Sequence, residues 1–485
     1  MTTPQMLDKQ NFSMLMDFCE LFMANGYFGH ERAGESVYFD MFFRKIPDNG
    51  GFAIMAGTAQ FAEYIEGLGF TADDIEYLAG MRLFSPEFLR YLEKFRFAGD
   101  VWAVPEGTPV FPGEPVVTVR APSVDAQLIE TMLLAYVNHQ SLIATKANRI
   151  VRAASGREVL EIGSRRAHSP DSALLGARAA HIGGCETTAC VLAAQKYGIP
   201  LMETMSHAWV QLFDSELEAF RVYARRYPDN CSLIVDTYNV LESGIPNAIQ
   251  AFREDVVPRG YRPKSIRIDS GDIAYITKKA RKMLDQAGFL DCRIIASNSL
   301  DEYVIRDMLI QGAKADIFGV GERLITAASD PVFSGVYKLC AVERDGGIIP
   351  KIKLSENTSK ITLPGFKCLW RLFDRDTGKA IADVITLFDE VIDDSREYEL
   401  FDPEHTWKRK KVGNFVARKL QKQIFRAGQC VAGFPQTAEV REYCRAQIDT
   451  LWEEVLRFEN PHKYYVDYSQ RLWDLRHGLI QEHSM

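Results

Sequence analysis

Between residues 157 and 320, six short apolar runs follow one another: REVLEI, GIPLMET, CSLIVD, KSIRID, CRIIAS and ADIFGV. Most are separated by amphipathic segments such as AYITKKARKMLDQAG and LDEYVIRDMLIQGA. The repeat is roughly thirty residues, the length of one strand–helix unit. A strand that returns through a helical crossover pairs in parallel, so the sheet is expected to be parallel. Six units head to tail predict an α/β barrel. A doubly wound open sheet is the rival, but no GxGxxG follows any of these runs.

The residues that close each run are polar. VLEI leads through Ile162 into Gly163, Ser164, Arg165, Arg166, Ala167 and His168, and IPLMET leads into Met205, Ser206 and His207. LIVD ends in Asp236, Thr237, Tyr238 and Asn239, and SIRI, which carries Arg267, ends in Asp269, Ser270, Gly271 and Asp272. RIIA gives Ser297, Asn298 and Ser299, and ADIF gives Gly319, Val320 and Gly321. In a parallel barrel all of these lie at the rim where such folds bind and react. One polar strand end is more often a turn or a helix cap. Six in succession, rich in Arg, Asp, His and Gly, point to a site.

Its chemistry follows from the residue types. Gly319 and Gly321 let backbone N–H groups approach an anion. Arg165 and Arg166 supply charge-assisted hydrogen bonds to phosphate oxygens. Asp269 or Asp272 can accept from vicinal sugar hydroxyls or hold magnesium. His207 can take a phosphoryl group or act as acid and base; taken alone, it reads more readily as a hydrogen-bonded core histidine. Together these residues predict a site for a phosphorylated sugar with magnesium.

The flanks read differently. ADDIEYLAG and SPEFLRYLEKF predict short helices, and VPEGTPVFPGEPVVTVRAP predicts strands broken by Gly and Pro turns. Residues 124–155 keep helical spacing as one helix or two. Beyond residue 335, YKLCAVER, PKIKLS and CLWRLF predict antiparallel strands that rejoin the N-terminal sheet. The tail, including TAEVREYCRAQIDTLWEEVLRF, predicts helix. Three parts are expected: an N-terminal α/β domain with a helical linker (1–155), the barrel (156–335), and returning strands with a helical C-terminal region (336–485). The acidic pair Asp393 and Asp394 and the basic run Lys408, Arg409, Lys410 and Lys411 read as solvated surface.

Composition removes other classes. A net charge of −8 argues against nucleic acid as a partner. No apolar run reaches the roughly 18 residues of a membrane span. MTTPQMLDKQ lacks the pattern of a secretory signal. Nine cysteines without a CxxC pair read as reduced thiols of a cytoplasmic protein, not as a disulfide frame or zinc site.

The order of several short stretches is specific. MANGYF, FFRK, LIATKANRI, RRAHSPD, RAAHIGG, VDTYN, RIDSGD, ASNSLDE, FGVG, VYKL, LPGFK and ENPHKYYVD follow one another over nearly the whole chain. In this the chain resembles the nicotinate phosphoribosyltransferase family. The resemblance implies an irregular α/β barrel, an open α/β sandwich domain built from both chain ends, and a helical C-terminal extension. It implies a cytoplasmic homodimer with sites at the interface, in pyridine nucleotide salvage. The substrates would be nicotinate and 5-phosphoribosyl-1-pyrophosphate, with Mg2+, and ATP as co-substrate. The products would be nicotinate mononucleotide and pyrophosphate.

By the same resemblance, His207 in TMSHAWVQ is the phosphohistidine, and Arg267 and Asp269 face the ribose phosphate, with Ser270 and Gly271 beside them. Asn298 and the Gly319–Gly321 loop lie on the phosphate side, and Arg165 meets pyrophosphate and base. The chain also departs from the family. Cys19 in MDFCEL stands where a ring-stacking tyrosine is expected, and Ile162 in EIG stands for a phenylalanine. Glu203 and Ala208 flank the histidine, Glu186 stands where aspartate is common, and Glu322 stands where threonine is frequent. Stacking of a base on an aromatic is worth about 1–3 kcal/mol. The altered base pocket therefore leaves a paralogue for another heteroaromatic acid, or a non-catalytic sugar-phosphate-binding relative, as alternatives. Retention of His207, Arg267 and Asp269 argues against the non-catalytic one.

Overall fold

Ser265–Ile268 is buried at all four positions, and so are Ile317–Val320 and Ser232–Ile234. Strands covered on both faces are apolar without alternation, as parallel strands are. In the computed structural model, which describes residues 11–30, 34–357 and 360–483, these strands join Arg293–Ser297, Glu158–Glu161 and Thr187–Thr188 in one six-stranded sheet. The order is Thr187–Thr188, Glu158–Glu161, Ile317–Val320, Arg293–Ser297, Ser265–Ile268, Ser232–Ile234, and every pair is parallel. The N-terminal stretch MTTPQMLDKQ lies outside the described residues.

The result is a mixed α/β fold with a parallel half-barrel sheet, not the complete barrel expected from six equal units. GIPLMET provides one parallel bridge, Thr188–Leu201, in place of a full strand. Pro200 has no N–H to give the ladder, which limits pairing there to the edge. This unit comprises Ile143–Pro331 with Gln436–Arg441. One core cluster gathers Phe220, Leu233, Ile245, Phe252, Ile266, Leu284 and Ile294 between strands and helices. Gly244 makes one close approach possible: a Cβ there would stand 1.8 Å from the Val235 carbonyl oxygen.

The second unit comprises residues 1–142, 332–435 and 442–485. It holds a seven-stranded antiparallel sheet in the order Gly347–Pro350, Gly335–Arg344, Ser36–Phe43, Val117–Pro122, Asp100–Ala103, Lys422–Arg426, Gln429–Cys430. Strands from distant parts of the sequence thus pair directly, Phe39 opposite Leu339 and Met41 opposite Tyr337. A four-stranded sheet contains Phe415–Lys419, Lys367–Asp374, Ala380–Leu387 and Val466–Tyr468. The expected helical stretch from 124 forms as two helices, Ser123–Leu128 and Glu130–Ala153.

Three expectations fail here. CLWRLF, within Lys367–Asp374, pairs with Ala380–Leu387 and Phe415–Lys419 in the four-stranded sheet and does not rejoin the sheet of the N-terminal strands. PKIKLS leaves the sheet after Pro350, and the Lys353 N–H instead donates to the Thr362 hydroxyl at 2.8 Å. The tail helix stops at Ile448, well short of the predicted end. The Thr450 hydroxyl takes the Gln447 carbonyl at 2.6 Å, so local side-chain bonding replaces the helical ladder. Arg409, Lys410 and Lys411 of the basic run form the exposed part of strand Arg409–Val412.

Glu20, on helix Phe18–Phe28, is buried. The Thr131 hydroxyl donates to one carboxylate oxygen at 2.5 Å, and the other finds no partner among the described residues. Burial, with the charges of Glu130 and Asp17 adding to it, pushes its carboxyl up to about 7. The folded chain therefore holds a proton that the unfolded chain releases near 4.5. That stabilisation is complete below pH 4.5, declines as pH rises to about 7, and is gone above. Unfolding midpoints measured across that window should fall with pH in the wild type. In Glu20→Gln this component of the slope should disappear.

Candidate functional site

The strand ends of the half-barrel converge on Asp236, two residues past Ser232–Ile234. Its side chain has 0% exposure. Oδ2 accepts from the Asp269 N–H at 2.8 Å and from the Ser270 hydroxyl at 2.7 Å. Oδ1 lies 3.9 Å from Nε2 of His207 and has no hydrogen-bond partner among the described residues. His207 opens the short helix His207–Gln211, and its Nδ1 lies 3.1 Å from the Thr237 hydroxyl. One carboxylate thus holds the aspartate–serine loop and faces the histidine.

Arg267 continues the network inside the sheet. Its side chain is 9% exposed. Nε donates to the Ser297 hydroxyl at 2.9 Å, Nη1 to Glu203 at 2.7 Å and Nη2 to Asp269 at 3.3 Å. The Ser297 hydroxyl donates onward to Asp269. Parallel register sets Ser297 beside Gly319, and Arg267 beside Ile295. An arginine in a four-residue buried strand is costly unless every nearby acceptor is used, and here three are.

The other rim residues fall as follows. Asn298 and Ser299 leave their strand with φ of +94° and +47°. Such left-handed backbone in non-glycine residues concentrates at functional sites. A Cβ on Gly319 would stand 3.2 Å from that of Ser297 and 3.3 Å from Cδ1 of Ile162. Gly321 precedes the turn Glu322–Ile325. Ile162 donates its N–H to the Val320 carbonyl at 2.9 Å, and its side chain packs on Leu160, Ile295 and Ile317.

Arg165 and Arg166 are exposed on the turn Ser164–Arg166. Arg166 lies 3.9 Å from Glu322, which also accepts from the Ser299 hydroxyl at 3.3 Å. Gly271 turns the chain at φ +78°, and Asp272 caps helix Ile273–Gln286 by accepting from the Tyr275 N–H at 2.9 Å. The capping reading of that carboxylate therefore describes one of its oxygens. Cys19 is exposed on helix Phe18–Phe28, in the other unit.

His207, Arg267, Asp269, Ser270 and the strand carrying Gly319 therefore lie in one connected group. Asp236, Thr237 and Ser297, which the sequence placed at the rim without a role, belong to it, and so does Glu203, noted in the sequence only as a departure beside the histidine. Asp236 had a signal: it closes LIVD as Asp269 closes SIRI. Nearby, Glu161 is also buried. It accepts from the Thr188 hydroxyl at 2.6 Å and from the Gly163 N–H, yet burial raises its carboxyl above the ordinary range, with the charge of Glu203 adding to the effect.

Sequence models of the nicotinate phosphoribosyltransferase (NAPRTase) family match three successive stretches: the N-terminal domain over 14–138, the family region over 158–349, and the C-terminal domain over 366–476. The chain belongs to the nicotinate phosphoribosyltransferase family. It is 41% identical over 474 residues to the nicotinate phosphoribosyltransferase of Bacillus subtilis, covering 97% of this chain and 96% of that one. The Dictyostelium discoideum nicotinate phosphoribosyltransferase is 34% identical over 96% of this chain and 88% of its own. The crystal structure of human nicotinic acid phosphoribosyltransferase superposes with a TM-score of 0.83 at 27% identity, covering 96% of this chain and all of that one. A nicotinate-nucleotide pyrophosphorylase from Pyrococcus furiosus shares the fold, with a TM-score of 0.70 at 23% identity. Like those relatives, this member of the nicotinate phosphoribosyltransferase family is an enzyme.

Proposed function

We propose that the chain transfers the 5-phosphoribosyl group of 5-phosphoribosyl-1-pyrophosphate to nicotinate, releasing nicotinate mononucleotide and pyrophosphate with ATP hydrolysis. One observation carries this reading: the Asp236 carboxylate, hydrogen-bonded to the Asp269–Ser270 loop, lies 3.9 Å from His207 at the end of a parallel sheet. The reaction breaks the anomeric C–O bond and forms a bond from that carbon to the pyridine nitrogen. Positive charge grows on the ribose as the bond breaks, and negative charge gathers on the leaving oxygens.

Asp269 faces the ribose hydroxyls in this reading. Arg267, with Arg165 and Arg166, stabilises the departing anion electrostatically. Backbone around Asn298 and Gly319–Gly321 lies against phosphate. His207 takes the phosphoryl group of ATP, and phosphorylation adds negative charge directly beside Asp236. Ile162 provides an apolar wall for the base.

Magnesium fits this donor set. Among the described residues no cluster of three or more His, Cys, Asp or Glu forms a metal cage. Mg2+ usually binds through one or two carboxylates with substrate phosphates and water. The free oxygen of Asp236, together with Asp269, would hold it, with Asp272 a further candidate through its second oxygen. There it would neutralise the pyrophosphate. The dimer is part of the same proposal, with sites at the subunit interface. Nine free cysteines fit a reducing compartment, and the cytoplasm is the proposed location. No helix among the described residues is long and apolar enough to cross a membrane.

The test is direct. The protein is incubated with 5-phosphoribosyl-1-pyrophosphate, Mg2+ and nicotinate, with and without ATP, beside a panel of other pyridine and azole carboxylates. Nicotinate consumption matched by pyrophosphate release, and stimulated by ATP, is the expected result. Turnover confined to another carboxylate, which the Ile162 and Cys19 substitutions would favour, would reassign the base. Ligand binding with no turnover on any base would refute the transferase reading.

A further inference from the structure

Arg267 is one cation held by two carboxylates. Nη1 bonds Glu203 at 2.7 Å and Nη2 bonds Asp269 at 3.3 Å. The group therefore starts with an excess of negative charge, increased by buried Asp236 on the far side of Asp269. An oxyanion approaching Arg267 meets that excess unless one carboxylate withdraws.

The two carboxylates are held differently. Asp269 is tied from three sides: its N–H to Asp236, its carboxylate to the Ser297 hydroxyl, and the same carboxylate to Arg267. Glu203 sits in the irregular segment between the Leu201 bridge and helix His207–Gln211. Its side chain is 39% exposed, and its remaining bond is a local one from the Thr204 N–H at 3.0 Å. Arg267 keeps its orientation without it, through Ser297 and Asp269.

We propose that Glu203 is a displaceable counter-ion: it occupies the guanidinium of Arg267 until an oxyanion of the substrate takes its place, and so sets the affinity for that oxyanion. The inference rests on the phosphoribosyl-transfer reading of the site. The chemistry is a carboxylate or phosphate oxygen pairing with an arginine edge, and nicotinate and pyrophosphate are its two sources. Because Glu203 stays close after displacement, its charge continues to oppose tight retention of the anion.

The experiment is titration calorimetry of the full chain with nicotinate and, separately, with magnesium pyrophosphate. Wild type, Glu203→Ala and Glu203→Gln are compared, each first shown to unfold at the same temperature. Glu203→Ala is expected to bind one of the two ligands about tenfold more tightly, the scale of one lost charge-assisted competitor at a half-open site. Glu203→Gln, which keeps an acceptor but no charge, should fall between. The ligand whose affinity rises identifies the oxyanion that replaces Glu203.

Unchanged or weaker binding of both ligands by Glu203→Ala would overturn the proposal and make the residue a support for Arg267. Lower unfolding temperatures in both variants would point to the same supporting role and count against it. Failure of the wild type to bind either ligand would sink the underlying reading and this inference with it. Binding by the wild type without a gain in the variants would sink this inference alone.

Discussion

Asp236→Ala is expected to lower kcat/KM for phosphoribosyl transfer by ~10²-fold, the scale of misplacing reacting groups by about an ångström. The carboxylate orders two loops at once. Without it the Asp269 N–H and the Ser270 hydroxyl lose their common acceptor, and His207 loses the charge 3.9 Å from its Nε2. Asp236→Asn keeps an acceptor for part of this network and should lose less. His207→Ala should behave differently: stimulation by ATP vanishes while slow ATP-independent transfer remains. Steady-state kinetics with and without ATP separate the two. An Asp236→Ala enzyme within threefold of wild type, or a His207→Ala enzyme still stimulated by ATP, would show that the network does not serve the reaction as assigned.

Asp383→Ala is expected to destabilise its unit by about 3–5 kcal/mol, the cost of breaking a buried ion pair from one side. Arg371 and Asp383 both have 0% side-chain exposure. Arg371 donates to the two carboxylate oxygens at 2.7 and 2.6 Å and to the Pro109 carbonyl at 2.8 Å, and Tyr464 donates to Asp383 at 3.0 Å. The stacked rings of Phe111 and Tyr464 lie close by, their centroids 4.0 Å apart. Losing Asp383 leaves a guanidinium in this core.

One residue limits the damage. Burial, and then the charge of Asp383, holds the Glu114 carboxyl well above the ordinary range. With Asp383 gone, Glu114 can ionise and serve Arg371 in part. Asp383→Ala with Glu114→Gln should therefore lose more than the sum of the two single changes. Urea unfolding measures all three. An Asp383→Ala midpoint unchanged from wild type would mean the pair contributes nothing to folding.

Much of this architecture was legible because parallel strands covered on both faces leave unbroken apolar runs. KSIRID and ADIFGV each became a strand, Ser265–Ile268 and Ile317–Val320. GIPLMET has the same texture but became one bridge, since texture does not report the missing N–H of Pro200 at a sheet edge. The tail read as helix by periodicity, yet its ladder ends where the Thr450 hydroxyl competes for the Gln447 carbonyl. The hairpin of Tyr398–Phe401 with Arg409–Val412 was hidden because its exposed, charged strand carries no apolar alternation.

The sequence alone determined where polar groups could gather: a residue that closes an apolar run in a parallel sheet must emerge at the rim. It could not determine which of those groups would touch. Asp236 and Asp269 are 33 positions apart, and Glu203 and Arg267 are 64 apart. Hydrogen bonding acts over about 3 Å and is blind to sequence separation. Only the register of the sheet and the course of the loops brought one carboxylate between a histidine and a serine, and set another against the guanidinium of a buried arginine.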